Sequence, residues 1–401
     1  MKESYISIQP EYVKQFHCDG TLCNAMCCKN WRISIDHNTY KKYQQLTDKV
    51  NRKRILSSIE FDKKTQNHEI QLTKNKTCPL LCEDNLCFIQ KNLGENYLSN
   101  TCAEYPRHTR EINGFLEKSL SMTCPVASQL ALLNPLPMKF EKIDFTATRQ
   151  NSYLQIDKTI LPLFDYFIDL QMFIISLLQN RKFPLEERLI ILGFFLDRTD
   201  ELVLNNQAEQ IPHLIDTYLS SLTTQDFHKM IDSIAPMPTQ KIKFNFDLLE
   251  HLYHTASSEE LFIYIDDITK AFHLEHQNDI QILMDIYEKN RNLYYNPFME
   301  KYHYIFENYL VNQIFQNLFP FTLKGTLTHN YIIFITLFSI TNFFTLGMSA
   351  IHEKALTPTH ITQLLAFLTK LNSSQAYIAS LENHLAKKEP DLLYFISTIL
   401  K

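Results

Sequence analysis

Hydrophobic positions beyond about residue 155 recur with the helical period. Leu163, Phe167, Leu170, Ile174 and Leu177 follow one another at steps of four and three, which lays one apolar stripe along a helix. Phe306, Tyr309, Leu310, Ile314 and Leu318 form another stripe, stopped by Pro320. Pro184 ahead of Leu185-Glu186-Glu187 opens a further helix with proline in its first turn. Ser257-Ser258-Glu259-Glu260 and Thr357-Pro358 are also helix starts. From Tyr331 to Ile351 there is no charged residue, and a bilayer span needs about 20 such positions. Thr336, Ser339, Thr341, Asn342 and Thr345 interrupt this stretch, and its flanks offer only Lys324 and Lys354. It reads as a buried core helix, and no membrane span is expected.

The first part of the chain has shorter periods. Gln9–Phe16 predicts one short helix with Tyr12 and Phe16 on a common face. WRISID (31–36) predicts a strand, and Asp36 an N-cap for a helix from about Tyr40 to Ile59. The basic side of that helix (Lys41, Lys42, Lys49, Arg52, Lys53, Arg54) reads as a solvated face. HEIQL (68–72) alternates like a strand. Asn113-Gly114 between RHTREI and FLEKSL is a hairpin signal, because both positions accept positive φ. Residues 139–150 read as a linker or short strand. The expected fold is mainly α: a small cysteine-rich α+β module with a β-hairpin (1–138), then a large helical domain (139–401) forming the wall of a substrate groove.

Composition sharpens this. Six glycines in 401 residues leave few tight turns and no pair within ten residues of each other. A methyl-donor or nucleotide site built on a glycine-rich strand–helix turn is thereby excluded. The formal net charge of −5, with no long basic run, gives no reason to expect a nucleic-acid partner. MKESYISIQPEYVKQF has no apolar signal-peptide core, so a cytoplasmic location with reduced thiols is expected.

All nine cysteines fall between Cys18 and Cys124. Buried structural cysteines would scatter, and the adjacent pair Cys27-Cys28 is poorly placed to bridge to itself. Metal or iron–sulfur ligation is the better reading. Spacings of three and four residues join Cys18, Cys23 and Cys27, and again Cys78, Cys82 and Cys87. Iron–sulfur clusters take four thiolates, or three with an open iron. The absence of CxxC disfavours zinc knuckles. Cys124 precedes Pro125 at a helix start, where a lowered thiol pKa is expected.

The runs FHCDGTLCNAMCCKNW (16–31), CPLLCEDNLCFI (78–89), LGENYLSNTCAEYPR (93–107), NGFLEKSLSMTCP (113–125) and FENYLVNQIFQNLFPF (306–321) resemble the flagellin lysine-N-methylase family. The resemblance touches both halves of the chain. It implies S-adenosylmethionine-dependent methylation of flagellin lysines in the cytoplasm, with a [4Fe–4S] cluster. It maps the family's cysteines onto Cys18, Cys23, Cys27, Cys28, Cys78, Cys87, Cys102 and Cys124, and leaves Cys82 as an extra, packing residue. The radical loop CxxxCxxC is absent, since Cys23-Asn24-Ala25-Met26-Cys27-Cys28 keeps the first spacing and loses the second. Radical transfer is therefore in doubt, and polar transfer to a neutral amine stays open.

Near the ligand cysteines, Tyr105 and Glu117 are the expected catalytic side chains, with Glu104 a further candidate. Arg107 is expected to bind the cofactor carboxylate. His251/His254 and His273/His276 have helical spacing but suggest no third metal ligand. The alternative is a non-enzymatic iron–sulfur or zinc protein: an electron carrier, a metal donor or a scaffold.

Overall fold

The computed structural model describes the chain except residues 1–2, 19, 21–22, 24, 30, 148–153, 160, 225, 256–258, 275–278 and 388–390. The protein is mainly α, with a small α+β region followed by a large helical one. Its strands are β1 (Glu3–Pro10), β2 (Ser34–Ile35), β3 (Ile59–Asp62), β4 (Asn67–Ile70), β5 (Arg107–Ile112), β6 (Phe115–Leu120), β7 (Phe140–Ala147) and β8 (Leu154–Ile156). They make a five-stranded sheet of order β7-β1-β6-β5-β8 and a three-stranded sheet of order β2-β4-β3.

The hairpin forms where Asn113-Gly114 places it. Its two loop residues have φ of 51° and 81°, and Ile112 pairs with Phe115. The strands at β2 and β4 also match expectation. Asp36 caps the next helix, accepting the Thr39 N–H at 2.9 Å.

Two expectations are corrected. Residues 3–10 form a strand, and the helix is confined to Tyr12–Gln15. The reason is tertiary: β1 pairs along its whole length with β7, from Glu3 opposite Ala147 to Pro10 opposite Phe140. Tyr12 and Phe16 do share a buried face. The helix expected over about 40–59 is two, His37–Gln44 and Lys49–Leu56. Asp48 restarts it by accepting the Val50 and Asn51 N–H groups. On one continuous helix Ile55 would point about 120° away from Tyr43. The break lets both reach 0% exposure in one core. Strands β7 and β8 continue the N-terminal sheet past residue 138.

Packing divides the molecule elsewhere. A small core gathers Ile33, Ile35, Tyr43, Ile55, Leu80 and Phe88 with Cys28 and Cys78. A second core runs without interruption from Tyr12, Phe16, Leu120 and Cys124 into the helices. The apolar stripes fall in helices Phe167–Leu178 and Tyr304–Asn317, except that Leu163 and Leu318, at their ends, lie outside the helices at φ 55° and 59°. Helix Glu259–Ala271 begins at its expected acidic pair, while Ser257 and Ser258 lie outside the described residues. Thr357 and His360 form a capping box for Pro358–Asn372.

Helix Leu327–His352 is long and apolar enough to cross a membrane, but 78% of its most apolar window is buried inside the protein. Several of its hydroxyls bond inside the protein: Thr345 donates to Thr341 O at 2.8 Å and Ser339 to Asn245 Oδ1 at 2.8 Å, while the buried Thr336 Oγ1 has no partner among the described residues. Gly347 makes the closest crossing, where a Cβ would lie 3.2 Å from the Ile268 Cα.

Candidate functional site

Seven cysteines converge on one cavity of about 70 Å³: Cys18, Cys23, Cys27, Cys28, Cys87, Cys102 and Cys124. They arrive from five separate pieces of backbone. Cys18 and Cys23 sit in the loop after helix Tyr12–Gln15. Cys27 and Cys28 lie on a 3₁₀ turn, Met26–Cys28, that follows Ala25 at φ 50°. Cys87 precedes helix Phe88–Leu93, Cys102 lies in Asn100–Glu104, and Cys124 precedes Pro125–Leu132. Cys78 stands behind them, its N–H bonded to Cys28 O at 2.8 Å. Cys82 neither lines the cavity nor bonds to Cys28; its backbone closes the 82–87 turn.

All nine cysteines are free thiols. The Cys28 thiol bonds to the sulfurs of Cys27, at 4.0 Å, and Cys78. That bond lowers the Cys27 thiol to about 7 and lowers Cys78 as well, while Cys28 itself is raised. Burial pushes Cys102 up to about 12 and Cys124 up to about 11. For Cys124 the expected lowering by the helix start is present, as bonds from the Ala127 and Val126 N–H groups, but burial outweighs it. Among the described residues, no three Cys, His, Asp or Glu side chains are gathered tightly enough to hold a single metal ion.

A groove of about 850 Å³ adjoins this chamber. One side is N-terminal: Met26, Lys29, Trp31, Tyr105, His108, Ser121 and Thr123. The other comes from the C-terminal helices, including Tyr309, Gln313, Gln316, Asn317, Phe334, Phe338, Lys370 and Glu382. Met26 and Tyr105 line both spaces and form the partition. The partition is braced: Tyr105 Oη lies 3.0 Å from Thr123 Oγ1, its ring packs 5.6 Å from Trp31, and Trp31 Nε1 donates to Cys27 O at 2.7 Å. Burial raises the Tyr105 hydroxyl well above its ordinary range.

The other expected side chains separate. Arg107 faces the cysteine cavity, with its guanidinium 5.0 Å above the Phe16 ring and Nη1 donating to Ala103 O at 3.2 Å. Glu104 is exposed, and its carboxyl is raised by partial burial. Glu117 lines neither space. It pairs across the hairpin with Arg110 at 2.6 Å and borders a third cavity of about 220 Å³. Hairpin register thus places it in a structural ion pair. His251 packs on His384, which bonds to Asp247 at 2.7 Å; His276 lies outside the described residues. His108 was missed. Its signal was strand alternation: it follows Arg107 on β5 and therefore points the opposite way, into the groove.

The family model described as the FliB lysine N-methylase C-terminal domain matches residues 171–399, and the chain belongs to this family. It is 27% identical over 331 residues to the lysine-N-methylase of Salmonella typhimurium, covering 80% of each chain. The lysine-N-methylase of Salmonella choleraesuis matches equally, with 27% identity and 80% coverage of each. The flagellar biosynthetic protein FliU of Salmonella muenchen is 37% identical over 150 residues, 36% of this chain and 88% of that protein. No solved structure matches the chain.

Proposed function

We propose that the protein is a lysine N-methyltransferase that transfers the methyl group of S-adenosylmethionine to lysine side chains of flagellin, with a cysteine-ligated iron–sulfur cluster. The observation that carries this reading is the partition. A ring of thiols adjoins a groove large enough for a side chain and a cofactor, and Met26 and Tyr105 line both. Relatives named lysine-N-methylase and a flagellar biosynthetic protein support the reaction and the substrate.

The donor set fits a cluster. A closed zinc site draws four ligands to about 2.3 Å from one atom. Here the thiols ring a space, which suits a cluster whose irons take thiolates from different segments of backbone. Three or four thiolates drawn from Cys18, Cys23, Cys27, Cys28, Cys87, Cys102 and Cys124 would hold it, with Cys78 supporting Cys28. Such a cluster would supply an anchor for the amino and carboxylate groups of the methyl donor where one iron is left open. Arg107, on the same wall, offers a bidentate partner to that carboxylate. The C-terminal helices serve as the wall that holds the flagellin segment. A non-enzymatic metal carrier, the alternative open from the cysteines alone, has no use for such a groove.

The test is anaerobic purification with iron, sulfide and zinc analysis, followed by incubation with S-adenosylmethionine and flagellin. Mass increments of one CH₂ on lysine support the reading. An unchanged flagellin mass with cluster-loaded protein overturns it.

A further inference from the structure

Lysine enters a protein site as an ammonium, with an ordinary pKa near 10.4, and an ammonium has no lone pair to attack a methyl group. Some group in the groove must take its proton. The titratable side chains lining the groove, among the described residues, are Lys29, Tyr105, Tyr309, Lys324, Lys370 and Glu382, together with His108.

The others are poor acceptors. Burial raises the Tyr105 hydroxyl and raises Tyr309 to about 12, so both keep their protons. Lys29 and Lys324 carry the same amine as the substrate and offer no advantage over it. Lys370 is lowered by burial and by Lys29, against the opposing pull of Glu260, but it is a lysine like the substrate and stands on the C-terminal wall, away in sequence from Tyr105. The Glu382 carboxylate is held by His329 Nε2 at 2.9 Å.

His108 differs. Its ring lines the groove, and no hydrogen bond or ion pair engages it among the described residues. It lies three residues after Tyr105, at the partition end, and also borders the third cavity. There it meets Arg110, which is tied to Glu117. Burial and the Arg110 guanidinium hold its pKa below the usual histidine range, so the ring is neutral and able to accept at neutral pH.

We propose that His108 is the general base that takes a proton from the substrate lysine's ammonium in the groove. The assignment rests on the methyl-transfer reading above. The lysine N–H bond breaks, and the proton goes to the imidazole. The freed nitrogen lone pair forms the new N–CH₃ bond. The methyl–sulfur bond breaks with its electrons returning to sulfur, which leaves as a neutral thioether. The product is a methylammonium, and the imidazolium releases its proton to solvent.

The experiment measures flagellin methylation rate against pH for wild type, His108→Gln and His108→Asn, with flagellin affinity and thermal unfolding measured on the same proteins. Wild type should show an acid limb below about 6.5, the ordinary histidine value. His108→Gln should lose about 10²-fold or more in rate near neutral pH, with flagellin affinity unchanged. Its rate should instead climb with pH toward the lysine's own pKa, narrowing the gap to wild type.

A folded variant with wild-type rate and profile overturns the assignment. So does a wild-type profile that rises only toward about pH 10, lysine's own value, a result that needs no variant. Wild-type protein that leaves flagellin unmethylated sinks the methyl-transfer reading itself, and the assignment with it.

Discussion

The hydroxyl of Tyr12 donates to Asn312 Oδ1 in the interior of the protein, joining the turn before Cys18 to a helix 300 residues further on. Asn312 Nδ2 turns the other way, to Leu120 O at 3.5 Å and Gln316 Oε1 at 3.2 Å. Its neighbour Asn308 donates to Asn134 O at 2.8 Å. Helix Tyr304–Asn317 therefore buries amides against the N-terminal region while Tyr309, Gln313 and Gln316 line the groove. Tyr12→Phe leaves Asn312 Oδ1 buried without its donor. The variant should lose about 1–3 kcal/mol in denaturant unfolding. A smaller methylation rate at unchanged stability would show instead that the contact positions the groove wall.

Glu307, on the same helix, is fully buried between Arg181 at 2.8 Å and Arg188 at 2.7 Å. Arg188 is itself 2% exposed. Glu307→Leu strands a buried guanidinium and should cost about 3–5 kcal/mol, read as a lower denaturant midpoint. Adding Arg188→Met to Glu307→Leu should recover most of that loss, because the uncompensated charge is what destabilises.

The cysteines are expected to divide by position. Cys82→Ser should leave metal content unchanged, since Cys82 faces away from the chamber. Cys27→Ser and Cys102→Ser should each lower it, and a chelator should bleach wild type more slowly than either variant. Elemental analysis of anaerobically purified protein decides this. Full metal loss in Cys82→Ser would contradict the assignment.

Lys241 provides a pH test away from the site. Burial, aided by Arg291, lowers its ammonium from 10.5 to about 8. The folded state thus favours the neutral amine, and the unfolded chain binds the proton more tightly. The resulting destabilisation is complete below about pH 8, where both states are protonated. It is relieved between about 8 and 10.5, so this group makes stability rise with pH across that window. Lys241→Met should stabilise the protein at pH 7, by at most about 3 kcal/mol, and flatten the rise. Equal unfolding midpoints for the two proteins at pH 7 and pH 10 would refute it.

The close crossing at Gly347 should not tolerate a side chain. The added methyl of Gly347→Ala would meet Ile268 Cγ1 at 2.7 Å and its backbone N at 3.3 Å. Unfolding should shift by about 1–3 kcal/mol, the usual effect of overpacking.

Local chemistry was legible in the sequence alone. Asn113-Gly114 determined the hairpin because few other residues accept positive φ in succession. Asp36 determined a helix start, and the periods at 163–177 and 306–318 determined helices there, the second of them buried nearly all round. The clustering of nine cysteines, together with the runs that resemble the methylase family, pointed to the chamber. What depended on distant partners was not legible. Residues 3–10 became a strand only because residues 140–147 pair with them, and this pairing carried the sheet past residue 138. Glu117 became half of an ion pair because hairpin register set it opposite Arg110. His108 gained its place because strand alternation turned it away from Arg107 and helices some 200 residues later closed a groove over it. Spacing along the chain specifies which residues can share a face. Only packing specifies which faces enclose a space, because that depends on contacts whose partners lie far apart in sequence.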